Sequence, residues 1–258
     1  MLPGNRTEKK SGTFVKWLAA ILGMTAAVSI GINLFCFRKL IDQYVLLHLD
    51  RASIFCKLTP EIRGDRPAVL FLGDSRAAQW EPLPVWEGYE IFNLGCSGAT
   101  SADLLEQVLR MRYPTDTRLA VIQAGINDLK VIGICPERKE EILTSCKNNL
   151  QEAVRILRKR GIAVLLLPVF PPGKLGWSRR FFWSSEADDA IQQLNEELMD
   201  SIKMEGAVVL DCMDLLAENG RLKSHYVQDE LHWNRAAYET LNGALEPIAV
   251  QLLGRSEP

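Results

Sequence analysis

The sequence predicts an α/β domain, a mostly parallel five-stranded sheet covered by helices on both faces, preceded by one transmembrane helix. Three observations lead there. Short apolar runs alternate with segments of helical spacing from Pro67 onward, the pattern of strands joined by crossover helices. The stretch Trp17 to Phe37 carries no formal charge. At about 1.5 Å per residue it is long enough for a hydrocarbon layer of about 30 Å. The 258 residues, 47% hydrophobic and 24% charged, are enough for one packed domain with an appendage.

Residues 1–16 form a basic tail, and 17–37 the transmembrane helix. Arg6, Lys9, Lys10 and Lys16 precede the span and only Arg38 and Lys39 follow it. This bias predicts a single-pass protein with a cytoplasmic N-terminus and an exported domain, periplasmic or extracellular. Trp17, Phe35 and Phe37 sit where aromatic rings favour the interface, and Asn33 is the one strongly polar intruder. The apolar run exceeds the 7–15 residues usual for a signal peptide and no clean cleavage site follows, so an uncleaved anchor is expected. Residues 38–66 join the span to the main domain. Apolar positions from Leu40 to Phe55 suggest an amphipathic juxtamembrane helix. Thr59-Pro60 through Arg66-Pro67 reads as a hinge.

The main domain occupies 67–258. Strands are predicted at Ala68–Leu72, Glu90–Asn93, Leu119–Gln123, Ile162–Leu167 and Ala207–Leu210. Helices are predicted at Ser101–Met111, Glu137–Arg160, Glu186–Met204 and Arg235–Leu253, the second stopped by Gly161. Right-handed crossovers bring the loops after these strands to one edge of the sheet. Ser75, Gly98, Asn127 and the segment around His232 fall on such loops or near that edge.

Composition excludes some classes of function. A net charge of −2 gives no electrostatic case for nucleic acid. None of the six cysteines forms a Cys-x-x-Cys pair, which argues against a zinc ribbon or a thioredoxin-like motif. Cys135 and Cys146 are candidates for a bridge in an oxidising compartment; otherwise the cysteines act as small buried apolar residues.

The chemistry begins at Gly73-Asp74-Ser75-Arg76, which lifts a serine hydroxyl to the carboxyl end of a strand. A serine hydroxyl needs a base to act as a nucleophile, and the chain has only three histidines. His48 lies outside the main domain, whereas His225 and His232 flank Asp229. A carboxylate at one imidazole nitrogen fixes the tautomer and leaves the other nitrogen for the hydroxyl; spacing alone leaves both histidines open. Acyl transfer also needs donors for the oxyanion. Gly125-Ile126-Asn127-Asp128 supplies a side-chain amide after the third strand. Asn93-Leu94-Gly95-Cys96-Ser97-Gly98 supplies glycine backbone after the second. The Ser75 N–H completes the set.

These blocks, with Asp229-Glu230-Leu231-His232, resemble in order the four diagnostic blocks of the SGNH hydrolases, the GDSL-type esterases and lipases, over about residues 67–253. The resemblance implies a three-layer α/β/α, flavodoxin-like fold. It implies Ser75 as nucleophile, Asp229 and His232 completing the triad, and Ser75, Gly98 and Asn127 as oxyanion donors, with Gly95 the alternative to Gly98. It implies no metal and no organic cofactor. The expected substrate is an ester, an acylated glycan or a lipid. The same triad also serves an O-acyltransferase, and a non-catalytic glycan- or lipid-binding domain is the alternative of another class. Arg76 stands where the family usually has leucine, and Trp233 where proline or leucine is common. Arg76 is expected to be solvated or to favour an anionic substrate. The loop Pro168–Ser185, with Trp177, Arg179, Arg180, Phe181, Phe182 and Trp183, is expected to border the cleft as a sugar-stacking surface, an acyl-chain lid or a membrane-facing patch, or to pack beneath itself.

Overall fold

A computed structural model describes residues 7–45, 65–177 and 183–254. They divide into an N-terminal unit ending at Val45 and a second unit carrying the sheet. The first is one helix, α1 (Thr7–Val45), within which Phe14–Ile41 is long and apolar enough to cross a membrane. The helix outruns the uncharged stretch because the flanking Lys, Arg and Glu are good helix formers. Large apolar side chains such as Leu22, Ile30 and Leu34 are exposed along it. Its polar side chains are satisfied locally: Asn33 Nδ2 donates to the Ser29 carbonyl at 2.7 Å and Thr25 Oγ1 to that of Leu22 at 2.9 Å. Hydrocarbon requires such internal pairing. The amphipathic segment expected at Leu40–Phe55 continues α1 as far as Val45. Residues 46–64, with His48, Cys56 and most of the hinge, lie outside the described residues.

The second unit is built on β1 (Ala68–Gly73), β2 (Glu90–Asn93), β3 (Thr117–Gln123), β4 (Ala163–Leu166) and β5 (Val208–Val209), in the order β2-β1-β3-β4-β5. Every neighbouring pair is parallel. All five predicted strands are present. β5 pairs on one side only, over two residues, so its ladder is shorter than its apolar run. The main helices are α3 (Ser101–Arg110), α5 (Lys139–Lys159), α6 (Ser185–Met204) and α8 (Arg235–Gly254), with short turns α2 (Ser75–Ala78), α4 (Ile126–Leu129) and α7 (Met213–Leu216) between them. Side chains alternate across the sheet. Val69, Phe71, Val121 and Leu165 share a cluster with Leu241, Leu245 and Ala249 of α8 and with Trp80 and Trp86. Leu70, Leu72, Ala120 and Ile122 are equally buried and face the other way, where α3, α5 and α6 pack side by side. The result is three layers.

One small element was not among the expected strands. Ala217–Glu218 (β6) and Arg221–Leu222 (β7) form an antiparallel hairpin closed by Asn219-Gly220, both at positive φ, the turn that an Asn-Gly pair favours.

Two thiols bear on the expected disulfide. Cys146 is a buried free thiol, so the Cys135–Cys146 bridge does not form; both residues are buried, and the Cys146 thiol lies beside Ser101 and Asp128.

The strand order reverses between β1 and β3. In open α/β sheets the crevice beyond the carboxyl ends at that point holds ligands. Ser75 follows β1 directly and Asn127 follows β3, so topology alone brings them to one crevice. Gly73 makes the exit from β1 possible: at φ +138° a Cβ there would lie 1.8 Å from the Gln123 carbonyl oxygen of β3.

Candidate active site

Asp74 caps α2: its Oδ1 accepts the Arg76 N–H at 2.8 Å. Ser75 is thereby fixed at the first position of a helical turn. The turn is pinned from beside it, where Asn93 Nδ2 donates to the Ala77 carbonyl at 2.9 Å. Gly95 crosses so close that a Cβ would lie 2.2 Å from the Ala78 nitrogen.

Opposite stands the loop before α8. Asp229 Oδ1 accepts the N–H groups of Leu231 at 2.8 Å and His232 at 2.9 Å, a turn that aspartate forms with its own following backbone. Its Oδ2 lies 2.8 Å from His232 Nδ1, and His232 Nε2 lies 3.0 Å from Ser75 Oγ. Hydroxyl, imidazole and carboxylate therefore form one continuous hydrogen-bonded chain. Partial burial pushes the Asp229 carboxyl up, but the His232 ring and the Leu231 and His232 N–H groups outweigh it and hold the group below its usual range. It stays ionised at neutral pH. His225 stacks on Tyr226 and offers its carbonyl to Asn234 Nδ2; the imidazole on the serine is that of His232.

Asn127 is almost fully buried. Its Nδ2 donates to the Ala99 carbonyl at 2.9 Å, and its Oδ1 accepts Lys130 Nζ at 2.7 Å. Gly98, at φ +84°, adjoins Ala99. The Gly95 N–H is committed to Asn93 Oδ1 at 3.0 Å. Asp128 turns away from the crevice and accepts the Ser101 N–H and hydroxyl at 2.9 and 2.6 Å, tying the start of α3 to the loop after β3.

Arg76 differs from expectation. It is neither solvated nor turned to a ligand: its side chain is fully buried. Nε donates to the Leu231 carbonyl at 2.8 Å, Nη1 to that of Phe170 at 2.7 Å and Nη2 to that of Pro171 at 3.2 Å. The guanidinium lies over the buried Trp233 ring, 5.0 Å from its centroid. The residue after the serine thus ties the serine turn to the residue before His232 and to the loop after β4. Burial pulls its pKa down to about 10, still charged at neutral pH. Nothing in the sequence marks this, because the acceptors are main-chain carbonyls.

The loop after β4 is mixed. Trp183 is half-buried and donates Nε1 to Asp188 Oδ1 at 2.8 Å. Trp177 is exposed. Arg179, Arg180, Phe181 and Phe182 lie outside the described residues. A cavity of about 910 Å³ lies between α6 and the β6–β7 hairpin, and none of Ser75, Asp229 and His232 lines it. Among the described residues no cluster of three or more His, Cys, Asp or Glu is arranged to hold a metal.

Two buried carboxyls beneath the crevice, Asp74 and Asp128, are each pushed up to about 6, chiefly by burial. Such a group holds its proton better in the folded than in the unfolded chain. Its contribution to stability is full below about pH 4 and is lost as pH rises through about 6. The melting temperature of Asp74→Asn is therefore expected to gain on that of the natural protein by several degrees between pH 4 and pH 7. Parallel melting curves across that range would contradict the assignment.

The chain can be compared with known proteins on this geometry. The family model described as "GDSL-like Lipase/Acylhydrolase family" matches residues 71–240, more than half of the chain. Comparison with curated proteins gives no match. Among solved structures, a Streptococcus pneumonia protein provisionally assigned as a platelet activating factor superimposes with TM-score 0.59 at 21% identity, covering 83% of this chain and 98% of that one. A GDSL-like lipase from Bacteroides thetaiotaomicron gives 0.57 at 20% identity, covering 72% and 89%. An acetyl xylan esterase gives 0.52 at 18% identity, covering 70% and 98%. These likenesses establish the fold.

Proposed function

The chain belongs to the GDSL-like lipase/acylhydrolase family, and on that premise we propose that it is a membrane-anchored serine ester hydrolase working through an acyl-enzyme at Ser75. The observation that carries the reading is the hydrogen-bonded chain from Ser75 Oγ through His232 to Asp229, at 3.0 and 2.8 Å.

Ser75 Oγ attacks the ester carbonyl carbon while His232 Nε2 takes the hydroxyl proton. Asp229, ionised at neutral pH, holds the Nδ1–H and stabilises the imidazolium. The carbonyl oxygen, now an oxyanion, receives hydrogen bonds from the Ser75 and Gly98 N–H groups and from Asn127 Nδ2. Collapse expels the alcohol, which takes the proton from His232. Water then attacks the acyl-enzyme with His232 as base, the proton returns to Ser75 Oγ, and the acid leaves. Every group in this sequence belongs to the chain, so no metal or organic cofactor is needed.

The substrate is an O-acyl ester, chiefly O-acetyl, of an envelope or extracellular glycan, or a lipid ester at the bilayer. The N-terminal helix supports this reading. Its basic residues lie mainly before the span, which favours a cytoplasmic N-terminus and an exported catalytic domain, and the tether keeps that domain close to the envelope.

The test uses the full chain in detergent with p-nitrophenyl esters. Turnover is expected for the acetate and the butyrate, with free acid as product even when sugar acceptors are present, and a chelator should leave the rate unchanged. Acylated sugar as the main product would instead favour a transferase. Folded protein that binds glycans and turns over none of these esters would favour a binding domain.

A further inference from the structure

We propose that Lys130 is a positioning residue of the oxyanion hole, acting through Asn127. This rests on the reading of Asn127 as an oxyanion donor.

The Asn127 amide is gripped at both ends. The Ala99 carbonyl takes one of its two N–H bonds at 2.9 Å, and the Lys130 ammonium donates to its oxygen at 2.7 Å. Lys130 sits three residues beyond Asn127, at the start of the single 3₁₀ turn Lys130–Gly133 that follows α4. Residues at that spacing share a helix face, so the sequence Asn-Asp-Leu-Lys places donor and cation together by local geometry alone.

Two consequences follow from general chemistry. The first is orientation. An asparagine turned end for end would set its oxygen against the Ala99 carbonyl and its NH₂ against the ammonium, so this pair of partners forbids the flip. The nitrogen, with its second N–H left over from the Ala99 bond, is thereby held as a donor. The second consequence is polarisation. A charged donor on the amide oxygen makes a stronger bond than a neutral one and draws electron density from the nitrogen, which strengthens the hydrogen bond that Nδ2 gives to a developing oxyanion. The Lys130 charge also reaches beneath the nucleophile, where it is among the charges that lower the Asp74 carboxyl. Because Ala99 adjoins Gly98, the same grip sets the spacing between the side-chain donor and the glycine donor. Lys130 is only half-buried, so its replacement need not unfold the domain.

A double-mutant cycle on p-nitrophenyl acetate turnover, with melting curves for each variant, tests the proposal. Lys130→Met is expected to lower kcat about tenfold and leave KM nearly unchanged, a part of the 10²- to 10³-fold loss typical of deleting an oxyanion donor. Lys130→Arg should restore most of the rate. In an Asn127→Ala background, Lys130→Met should change kcat by less than about twofold, because the group it acts through is gone. An unchanged kcat for Lys130→Met, a change confined to KM, or a tenfold loss that persists without Asn127 overturns the proposal. If Asn127→Ala alone keeps full kcat, the assignment of Asn127 itself fails, and that single variant tells the two failures apart.

Discussion

Replacement of Ser75 by alanine is expected to lower kcat for p-nitrophenyl acetate by about 10⁶ while leaving the melting temperature within a few degrees of the natural protein. On the proposed mechanism the hydroxyl is the group to which the acyl chain becomes attached, and it is this oxygen that lies 3.0 Å from His232 Nε2. His232→Ala should cost nearly as much, because without the imidazole the hydroxyl keeps its proton. The double variant should cost no more than either single one, since the two groups act as a unit. Asp229→Ala should cost less, as it orients and charges the ring without touching substrate. Steady-state kinetics on the four variants decide the matter. Additive losses would mean that the 3.0 Å contact between Ser75 and His232 is not used in the reaction.

Arg76→Leu is expected to destabilise the catalytic domain by about 3–5 kcal/mol, the range found when one partner is removed from a buried charged network. Three carbonyls, of Leu231, Phe170 and Pro171, lose their donor together. The buried Asp74 loses the charge that most offsets its burial. Leucine fills part of the volume and offers no hydrogen. Arg76→Lys should recover only a fraction, because a single ammonium cannot reproduce a planar fork that meets three acceptors. Turnover should fall in both variants, since the carbonyl bound by Nε belongs to the residue immediately before His232. Urea denaturation followed by tryptophan fluorescence reads the effect. A loss below 1 kcal/mol for Arg76→Leu would show that the loops hold their places without the guanidinium.

The strands were legible because a parallel sheet buried on both faces demands continuous apolar runs, as Val69-Leu70-Phe71-Leu72 and Val164-Leu165-Leu166 show. Their ends were less legible. Ladder pairing sets them, and β5, with one neighbour, keeps only Val208 and Val209. The N-terminal helix shows the same limit from the other side. Hydropathy marks where a chain suits lipid, and helix formers carry α1 beyond that region in both directions. The Asn219-Gly220 turn was a readable signal, but it joins strands of two residues that have no periodicity to detect.

In the crevice, the residues that were legible are those whose chemistry is local: a serine at a strand end, an asparagine at the next, an aspartate three residues before a histidine. Arg76 and Lys130 were not. The meaning of Arg76 lies in backbone oxygens 94 to 155 residues away, and main-chain carbonyls leave no trace in a sequence. Lys130 is close to Asn127 in the chain, but a lysine on a short turn is ordinary until its partner is known. Asp74 caps α2 and Asp128 ties the start of α3 to the loop after β3; their burial and raised pKa values emerge only when the sheet closes over them.

The central claim is that Ser75 is the nucleophile, activated by His232. Labelling the full-length protein with a fluorophosphonate, followed by peptide mass spectrometry, tests it most directly. One equivalent of adduct on Ser75 is expected, with none in Ser75→Ala and labelling slowed by orders of magnitude in His232→Ala. An adduct on any other residue, or equal labelling rates with and without the imidazole, would contradict the account.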